Sequence, residues 1–172
     1  HLSIRRQRQM CIRDSIIKSL DLVIIDEISM VRADVLDGID QVLRRYKNKH
    51  KVFGGVQILM IGDLQQLAPV VKPNEWSLLQ QHYNTVYFFS AKAFQEAKVV
   101  AIELQHIYRQ KNEDFIQILN EIRNDQLSES SAAILNERYH PSFSPHKDEG
   151  YITLTTHNRR ASIINDSELN KL

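Results

Sequence analysis

Short, predominantly apolar runs alternate with amphipathic stretches along this chain. Residues 22–25 and 56–61 are rich in β-branched side chains, a pattern typical of strands buried on both faces of a parallel sheet. An amphipathic helix is predicted between them, over about 33–48, by apolar side chains that recur at helical spacing: Val35, Ile39, Val42, Leu43 and Tyr46. Strand, helix and strand in this order predict a βαβ unit with parallel strands. The fold is therefore predicted to be α/β, with a parallel sheet flanked by helices.

Weaker patterns predict further elements. Helices are predicted at 16–20 (the end of a longer one), 75–83, 91–96, 113–123, 130–139 and 159–170, and strands at 86–89, 99–102 and 151–155. Ser90 is expected to cap the helix at 91–96. The stretch 141–150 contains Pro141, Pro145 and Gly150 and is typical of a linker.

Composition narrows the class of protein without selecting a function. Of the 172 residues, 42% are hydrophobic and 25% charged, as in soluble globular proteins. No apolar run approaches the roughly 20 residues that span a bilayer, so we expect no membrane protein. The start has no signal-peptide pattern and the single cysteine cannot form an internal disulfide, so an intracellular setting is expected. Since 22 basic residues balance 21 acidic ones, bulk charge does not indicate nucleic-acid binding.

Two basic stretches have alternative interpretations. Residues 1–13 hold four arginines and no acidic residue, and the string 8–15 resembles translated sequencing-adaptor sequence. We expect 1–14 to be non-native and exclude it from fold reasoning; the alternative is a basic arm that binds nucleic acid. The run 44–51 could contact DNA phosphates or form the solvated end of a helix.

Polar residues follow the two best-defined strands at the point where each strand ends. Asp26 and Glu27 come after the first, and Gly62, Asp63 and Gln66 come after the second. Ligands of open parallel sheets bind at the carboxyl ends of the strands. One carboxylate there can hold Mg²⁺ while its neighbour orients a water for attack on a phosphate, although an acidic pair can also be only a helix cap. Two polar clusters that converge at adjacent strand ends favour a site.

Three segments, in this order, carry a resemblance to a known family. The string 23–31 (VIIDEISMV) resembles the Walker B segment of superfamily I helicases, 62–70 (GDLQQLAPV) their third motif, and 104–110 (LQHIYRQ) their fourth. Together they resemble the petite-integration-frequency (PIF-type) DNA helicases, which are related to RecD. The resemblance extends from about residue 16 to the end and includes 153–158.

The resemblance implies roles for individual residues. Asp26 would bind Mg²⁺, directly or through water, and Glu27 would be the catalytic base or the residue that positions the water. Gln66 would sense the γ-phosphate, and Arg109 would be an arginine finger from a second motor domain, a role that a guanidinium suits because it chelates phosphate oxygens. For Arg109 the alternative is an ordinary surface salt bridge. The nucleotide-binding set would then consist of Asp26, Glu27, Gly62, Asp63, Gln66 and Arg109.

The resemblance also implies a whole-protein activity. The fold would be a RecA-like P-loop NTPase motor, with residues 15–103 in a first RecA-like domain and 104–172 in a second. ATP and Mg²⁺ would be the cofactors, and single-stranded DNA and duplex junctions the partners. The protein would be a DNA helicase that moves 5′→3′ in replication, recombination or repair. It would act in a bacterial cytoplasm, as a monomer.

The sequence lacks the phosphate-binding loop Gly-x-x-x-x-Gly-Lys-Ser/Thr, because none of its five glycines precedes a lysine. We therefore expect the chain to be truncated at both ends and inactive alone. Two alternatives stay open: a degenerate RecA-like module that binds DNA or protein without hydrolysing ATP, and an unrelated P-loop ATPase.

Overall fold

The computed structural model describes residues 14–144 and 149–170, which belong to two compact units. The first unit ends at Tyr108 and the second begins at Arg109. The segment 1–14, which we expect to be non-native, lies outside the described residues apart from residue 14. The assignment of two RecA-like domains, 15–103 and 104–172, stays a prediction.

The first unit contains the predicted βαβ unit. Its strands β1 (Leu22–Ile25) and β2 (Gln57–Met60) pair in parallel, with Ile25 opposite Met60. Its helices are α1 (residues 14–19), α2 (Ala33–Tyr46), α3 (Pro73–Leu79) and α4 (Lys92–Glu96), with short 3-10 turns at Ile28–Met30, Val52–Gly55 and Phe88–Ser90. The predictions of β1, α2, β2 and α4 are confirmed. Helix α3 begins at a proline, which suits a first helical turn, and is shorter than the predicted 75–83.

One face of the sheet is packed and the other is exposed. Val23, Ile25, Ile58 and Met60 pack against the buried core, whereas Ile24 and Leu59 are 56% and 46% exposed. The prediction that these strands are buried on both faces is wrong for the described chain, because its helices cover only one side. The core itself consists of Ile28, Ala33, Leu36, Leu43, Phe53, Val56, Phe88, Ala91 and Ala93.

Helix α2 buries two carboxylates along with its apolar residues. Asp37 accepts hydrogen bonds from the backbone N–H of Ala93 at 2.9 Å and from the Tyr83 hydroxyl at 2.9 Å. Asp40 accepts from the backbone N–H of Phe53 and pairs with Arg44 at 2.8 Å. A buried charge is tolerated only when it is paired or hydrogen-bonded, so these contacts fix α2 against α4 and against the turn that leads into β2.

Three predicted strands are absent from the described residues, and these predictions are wrong for the chain as it stands. In 86–89 only Tyr87 makes a β-bridge, to Arg32, before a 3-10 turn begins at Phe88. The stretches 99–102 and 151–155 are irregular, and Ile102 and Leu154 are 82% and 87% exposed. A strand needs a neighbour for its backbone groups, and a local apolar pattern does not provide one.

The predicted cap of α4 is also wrong. Ala91 is the N-cap residue and makes no side-chain cap bond. Ser90 instead bonds the hydroxyl of Thr85 at 2.7 Å. The N–H groups at the start of α4 are satisfied by Asp37, a residue 55 positions away from Lys92.

The second unit is helical in the residues described. Its helices are α5 (Glu113–Arg123), α6 (Glu129–Asn136) and α7 (Asn158–Leu169), close to the predicted ranges. Side chains cap the first two, since Asn112 accepts from the N–H of Phe115 and Ser128 from that of Ser131. In the described part of the chain, no helix has the length and apolar content needed to cross a membrane.

Candidate functional site

The acidic pair forms a bulge at the end of β1. In a regular parallel ladder, Ile61 would donate to the carbonyl of Ile25 and accept from the N–H of Glu27. The first bond is present at 2.9 Å, but the Ile61 carbonyl accepts from Ile28 instead, also at 2.9 Å. One extra residue is thus inserted opposite Ile61, which is the pattern of a β-bulge, a device that re-aims side chains beside active sites.

The extra residue, Glu27, has a left-handed backbone conformation, with φ 51° and ψ 44°. That conformation costs a non-glycine residue about 1–2 kcal/mol, so the surrounding bonds must maintain it. The displaced N–H of Glu27 donates to Oδ1 of Asp26 at 2.9 Å. Both side chains are exposed, so the carboxylate of Glu27 is open to solvent at the end of the strand.

The loop after β2 has its own internal support. Asp63 accepts from the backbone N–H of Gln65 at 3.0 Å and from the side-chain amide of Gln66 at 3.3 Å. The backbone N–H of Gln66 also donates to the Asp63 carbonyl at 3.1 Å. Asp63 therefore shapes this turn and orients Gln66, whose amide can both donate and accept hydrogen bonds.

The structure brings the two loops together, as the sequence predicted. A Cβ added to Gly62 would lie 3.0 Å from the backbone nitrogen of Ile28 and 3.2 Å from that of Ser29. The turn at Gly62 therefore lies directly against the segment that follows Asp26 and Glu27.

Ser29 is a residue that sequence reasoning missed. It is 1% exposed, and its hydroxyl has no hydrogen-bond partner among the described residues. Unpaired buried hydroxyls are uncommon in proteins. Its place beside the bulge could not be read from the sequence, because polarity alone suggests a solvent-facing serine.

Arg109 is the first residue of the second unit, and its side chain is exposed. Its role as an arginine finger stays a prediction. The basic run 44–51 is partly used inside the first unit, since Arg44 pairs with Asp40 and Glu96, and Lys47 with Asp21.

Two cavities in the described residues lie elsewhere. One of about 420 Å³ is lined by α5 and the start of α6, and one of about 380 Å³ lies between α1, β1 and α2. None of the predicted site residues lines either cavity. The candidate site is an open surface at the strand ends.

The carboxylates at this surface suit Mg²⁺ that keeps part of its hydration shell. In residues 14–144 and 149–170, no group of three or more His, Cys, Asp or Glu side chains converges as in an all-protein metal cage. Mg²⁺ usually keeps several waters and binds through one or two carboxylates together with substrate phosphates. Asp26 can supply such a carboxylate, since its side chain is exposed and the N–H of Glu27 bonds to its Oδ1.

Comparison with known proteins decides the family. The model of the PIF1-like helicase family matches residues 1–133, more than half of the chain. The chain belongs to the PIF1-like helicases. The match includes residues 1–14, whose non-native origin stays a prediction. Membership decides against an unrelated P-loop ATPase.

Relatives of the PIF1-like family resemble the chain over most of its length. It is 33% identical to the ATP-dependent DNA helicase PIF1 of Saccharomyces cerevisiae over 160 residues, which are 90% of this chain and 17% of the yeast protein. The human ATP-dependent DNA helicase PIF1 is 30% identical over 87% of this chain and 22% of its own length. The chain thus spans about a fifth of these curated relatives.

Solved structures of PIF1-like helicases share the fold. The Pif1 helicase from Bacteroides in complex with ADP-AlF3 and ssDNA superposes with a TM-score of 0.83 at 39% identity, covering 91% of this chain and 37% of that one. The structure from Candida albicans gives a TM-score of 0.72 at 25% identity, covering 98% of this chain and 35% of that one. The predicted RecA-like α/β fold is confirmed.

Proposed function

We propose that this chain supplies the ATP-hydrolysis residues of an ATP-dependent DNA helicase. The observation that carries the proposal is the bulge at Asp26 and Glu27, held against the loop of Gly62, in a chain of the PIF1-like family. An exposed carboxylate pair beside a second polar loop suits phosphoryl transfer, in which catalysis is mostly positioning and charge stabilisation.

The chemistry follows from what each side chain can reach. Asp26, whose Oδ1 already accepts from Glu27, would hold Mg²⁺ through its other oxygen or through water. When bound, the metal neutralises charge on the nucleotide phosphates. Glu27 would orient the attacking water and accept its proton. Gln66, oriented by Asp63, would contact the γ-phosphate, and Arg109 would stabilise the charge that develops on it.

The substrates are proposed from the relatives. A Bacteroides Pif1 structure is described as a complex with ADP-AlF3 and ssDNA, and another concerns unwinding at forked dsDNA. We extend both kinds of DNA to this protein, together with ATP and Mg²⁺ as cofactors. The 5′→3′ direction, the roles in replication, recombination or repair, the bacterial cytoplasm and the monomeric state are parts of the same proposal.

The test is a Glu27→Gln variant of the full-length protein encoded at the source locus. We expect DNA-stimulated ATP hydrolysis to fall by about 10²–10⁴, the range for loss of a positioned general base, with single-stranded DNA binding retained. Glu103→Gln, in an exposed stretch outside these loops, is the matched control and should keep full activity. Steady-state ATPase assays and fluorescence anisotropy with a labelled oligonucleotide measure the two properties.

Each result has a defined meaning. Wild-type protein that binds DNA without hydrolysing ATP would establish the degenerate binding module instead. Active wild type with an equally active Glu27→Gln variant would remove Glu27 from the mechanism while leaving the helicase assignment intact.

A further inference from the structure

We infer that Gly62 is a positioning residue for Glu27, and that it acts by leaving room for the bulge rather than by binding nucleotide. This inference rests on the proposed function, because it concerns how the water-orienting carboxylate is aimed. Its basis is a set of close contacts between the loop after β1 and the loop after β2. Gly62 follows Glu27 by 35 positions in the sequence.

Position 62 requires glycine because there is too little space for a Cβ atom. The glycines with positive φ in the described chain are Gly54, Gly55 and Gly150, so Gly62 has a conformation open to other residues. A Cβ there would meet the Cγ2 and the backbone nitrogen of Ile28, each at 3.0 Å, and the backbone nitrogen of Ser29 at 3.2 Å. All three contacts are tighter than ordinary van der Waals packing.

The bulge creates this crowding. Because one extra residue is inserted opposite Ile61, it is the Ile28 N–H, rather than that of Glu27, that reaches the Ile61 carbonyl at 2.9 Å. Ile28 and Ser29 therefore lie against the residue that follows Ile61, which is Gly62. With a regular ladder, Asp26 would lie opposite Ile61, the N–H of Glu27 would donate to the Ile61 carbonyl, and the backbone of Glu27 would have no left-handed turn.

The segment of Ile28 and Ser29 has no room to move away from position 62. Ile28 and Ser29 are 5% and 1% exposed, and close-packed interiors accommodate little displacement. A methyl group at position 62 would push the Ile28 N–H away from the Ile61 carbonyl, and that bond closes the bulge. Glu27 has the left-handed conformation only while the bulge is closed, so its carboxylate would be redirected.

The test is Gly62→Ala in the full-length protein, with Gly38→Ala as the matched control. A Cβ at Gly38, within α2, meets nothing within 4 Å, so this control should keep wild-type activity. For Gly62→Ala we expect kcat for ATP hydrolysis to fall on the order of 10²-fold with KM for ATP changed less than threefold, because misplacing a catalytic group by about 1 Å costs that much. A fall in kcat with an unchanged KM separates aiming of Glu27 from loss of a nucleotide contact, and retained binding of a labelled single-stranded oligonucleotide shows that the variant is folded.

A double-variant cycle with Glu27→Gln shows whether the effect passes through Glu27. We expect Gly62→Ala to add less than twofold to the loss caused by Glu27→Gln, since residues in one functional unit are not additive. If Gly62→Ala is insoluble, Ile28→Ala and Ile28→Ala/Gly62→Ala are compared instead, because the smaller side chain removes the Cγ2 contact.

Three outcomes would overturn the inference: wild-type kcat in Gly62→Ala, a raised KM at constant kcat (a nucleotide contact), or full additivity with Glu27→Gln. An inactive wild type would instead refute the proposed function, so the two failures are distinguishable.

Discussion

Single polar residues connect distant parts of the first unit. Asp37 uses both carboxylate oxygens: Oδ1 accepts from the N–H of Ala93, and Oδ2 from Tyr83 and from the N–H of Lys92. Burial of the Tyr83 hydroxyl, followed by its bond to Asp37, raises the pKa of Tyr83 from 10.0 to about 12. The neutral phenol is therefore favoured in the folded state more than in the unfolded state.

This shift predicts a loss of stability in strong alkali. The contribution of Tyr83 should be complete below pH 10, where the phenol is neutral in both states, and should be lost as the pH rises towards 12, because the unfolded state releases its proton first. The free energy of unfolding, measured by urea denaturation between pH 8 and 11.5, reports this loss. Tyr83→Phe should flatten this part of the pH dependence, whereas Tyr139→Phe, at an exposed position, should leave the profile unchanged. Identical slopes for wild type and Tyr83→Phe would contradict the assignment.

At the scale of elements, the junction of α5 and α6 depends on one carboxylate. Glu121 accepts from the side-chain amide of Gln117 at 2.9 Å and from the backbone N–H and hydroxyl of Ser128 at 3.0 and 2.8 Å. Ser128 in turn caps α6 through the N–H of Ser131. Led by the bond from Gln117, these hydrogen bonds lower the pKa of Glu121 to about 2.

The junction is expected to open in acid. The stabilisation that Glu121 provides should be present above pH 4.5 and lost as the pH falls towards 2, because the folded state binds the proton less readily than the unfolded state. The protection factors for hydrogen exchange at the amides of Ser128 and Ser131, which are taken relative to the intrinsic rate at each pH, should fall over that range and should be low at neutral pH in Glu121→Gln. The control is Glu137→Gln, at the exposed end of α6. Slow exchange in the variant would argue against a role for this carboxylate in the cap.

At the scale of the whole molecule, the proposed reaction uses residues of two compact units. Asp26, Glu27 and Gln66 lie in the first and Arg109 is the first residue of the second. An arginine finger stabilises the charge that develops on the transferred phosphoryl group, so the proposal requires Arg109 in addition to the residues of the first unit.

Arg109→Ala in the full-length protein tests whether Arg109 takes part in ATP hydrolysis. We expect kcat for ATP hydrolysis to fall by about 10³–10⁵, the range for arginine fingers, with a smaller change in ATP binding. Arg109→Lys should recover little, since a lysine cannot chelate two phosphate oxygens in a planar fork. Arg138→Ala, at another exposed arginine of the second unit, is the control for lost charge. An unchanged kcat in Arg109→Ala would favour the alternative of a surface salt bridge.

The sequence by itself determined the features that depend on neighbours along the chain. The apolar runs of β1 and β2, the helical spacing of α2 and the polar residues after each strand are local patterns, and they predict the α/β fold and the edge of the sheet where the loops meet. The motifs at 23–31, 62–70 and 104–110 carry the resemblance to the family that comparison then established. The buried positions of α2 are 33, 36, 37, 40 and 43, which lie on one face of a helix. This helical spacing therefore also accounts for the burial of Asp37 and Asp40.

Only the tertiary structure decided what depends on distant partners. The stretches at 99–102 and 151–155 have strand-like composition but no neighbouring strand in the described residues, and the exposed faces of Ile24 and Leu59 have no covering helix there. The left-handed Glu27 exists because Ile61, 34 positions later, bonds Ile25 and Ile28 and leaves an extra residue between them. A backbone hydrogen bond between two strands is not encoded at either position alone, so the aim of the candidate catalytic carboxylate could be read only from the fold.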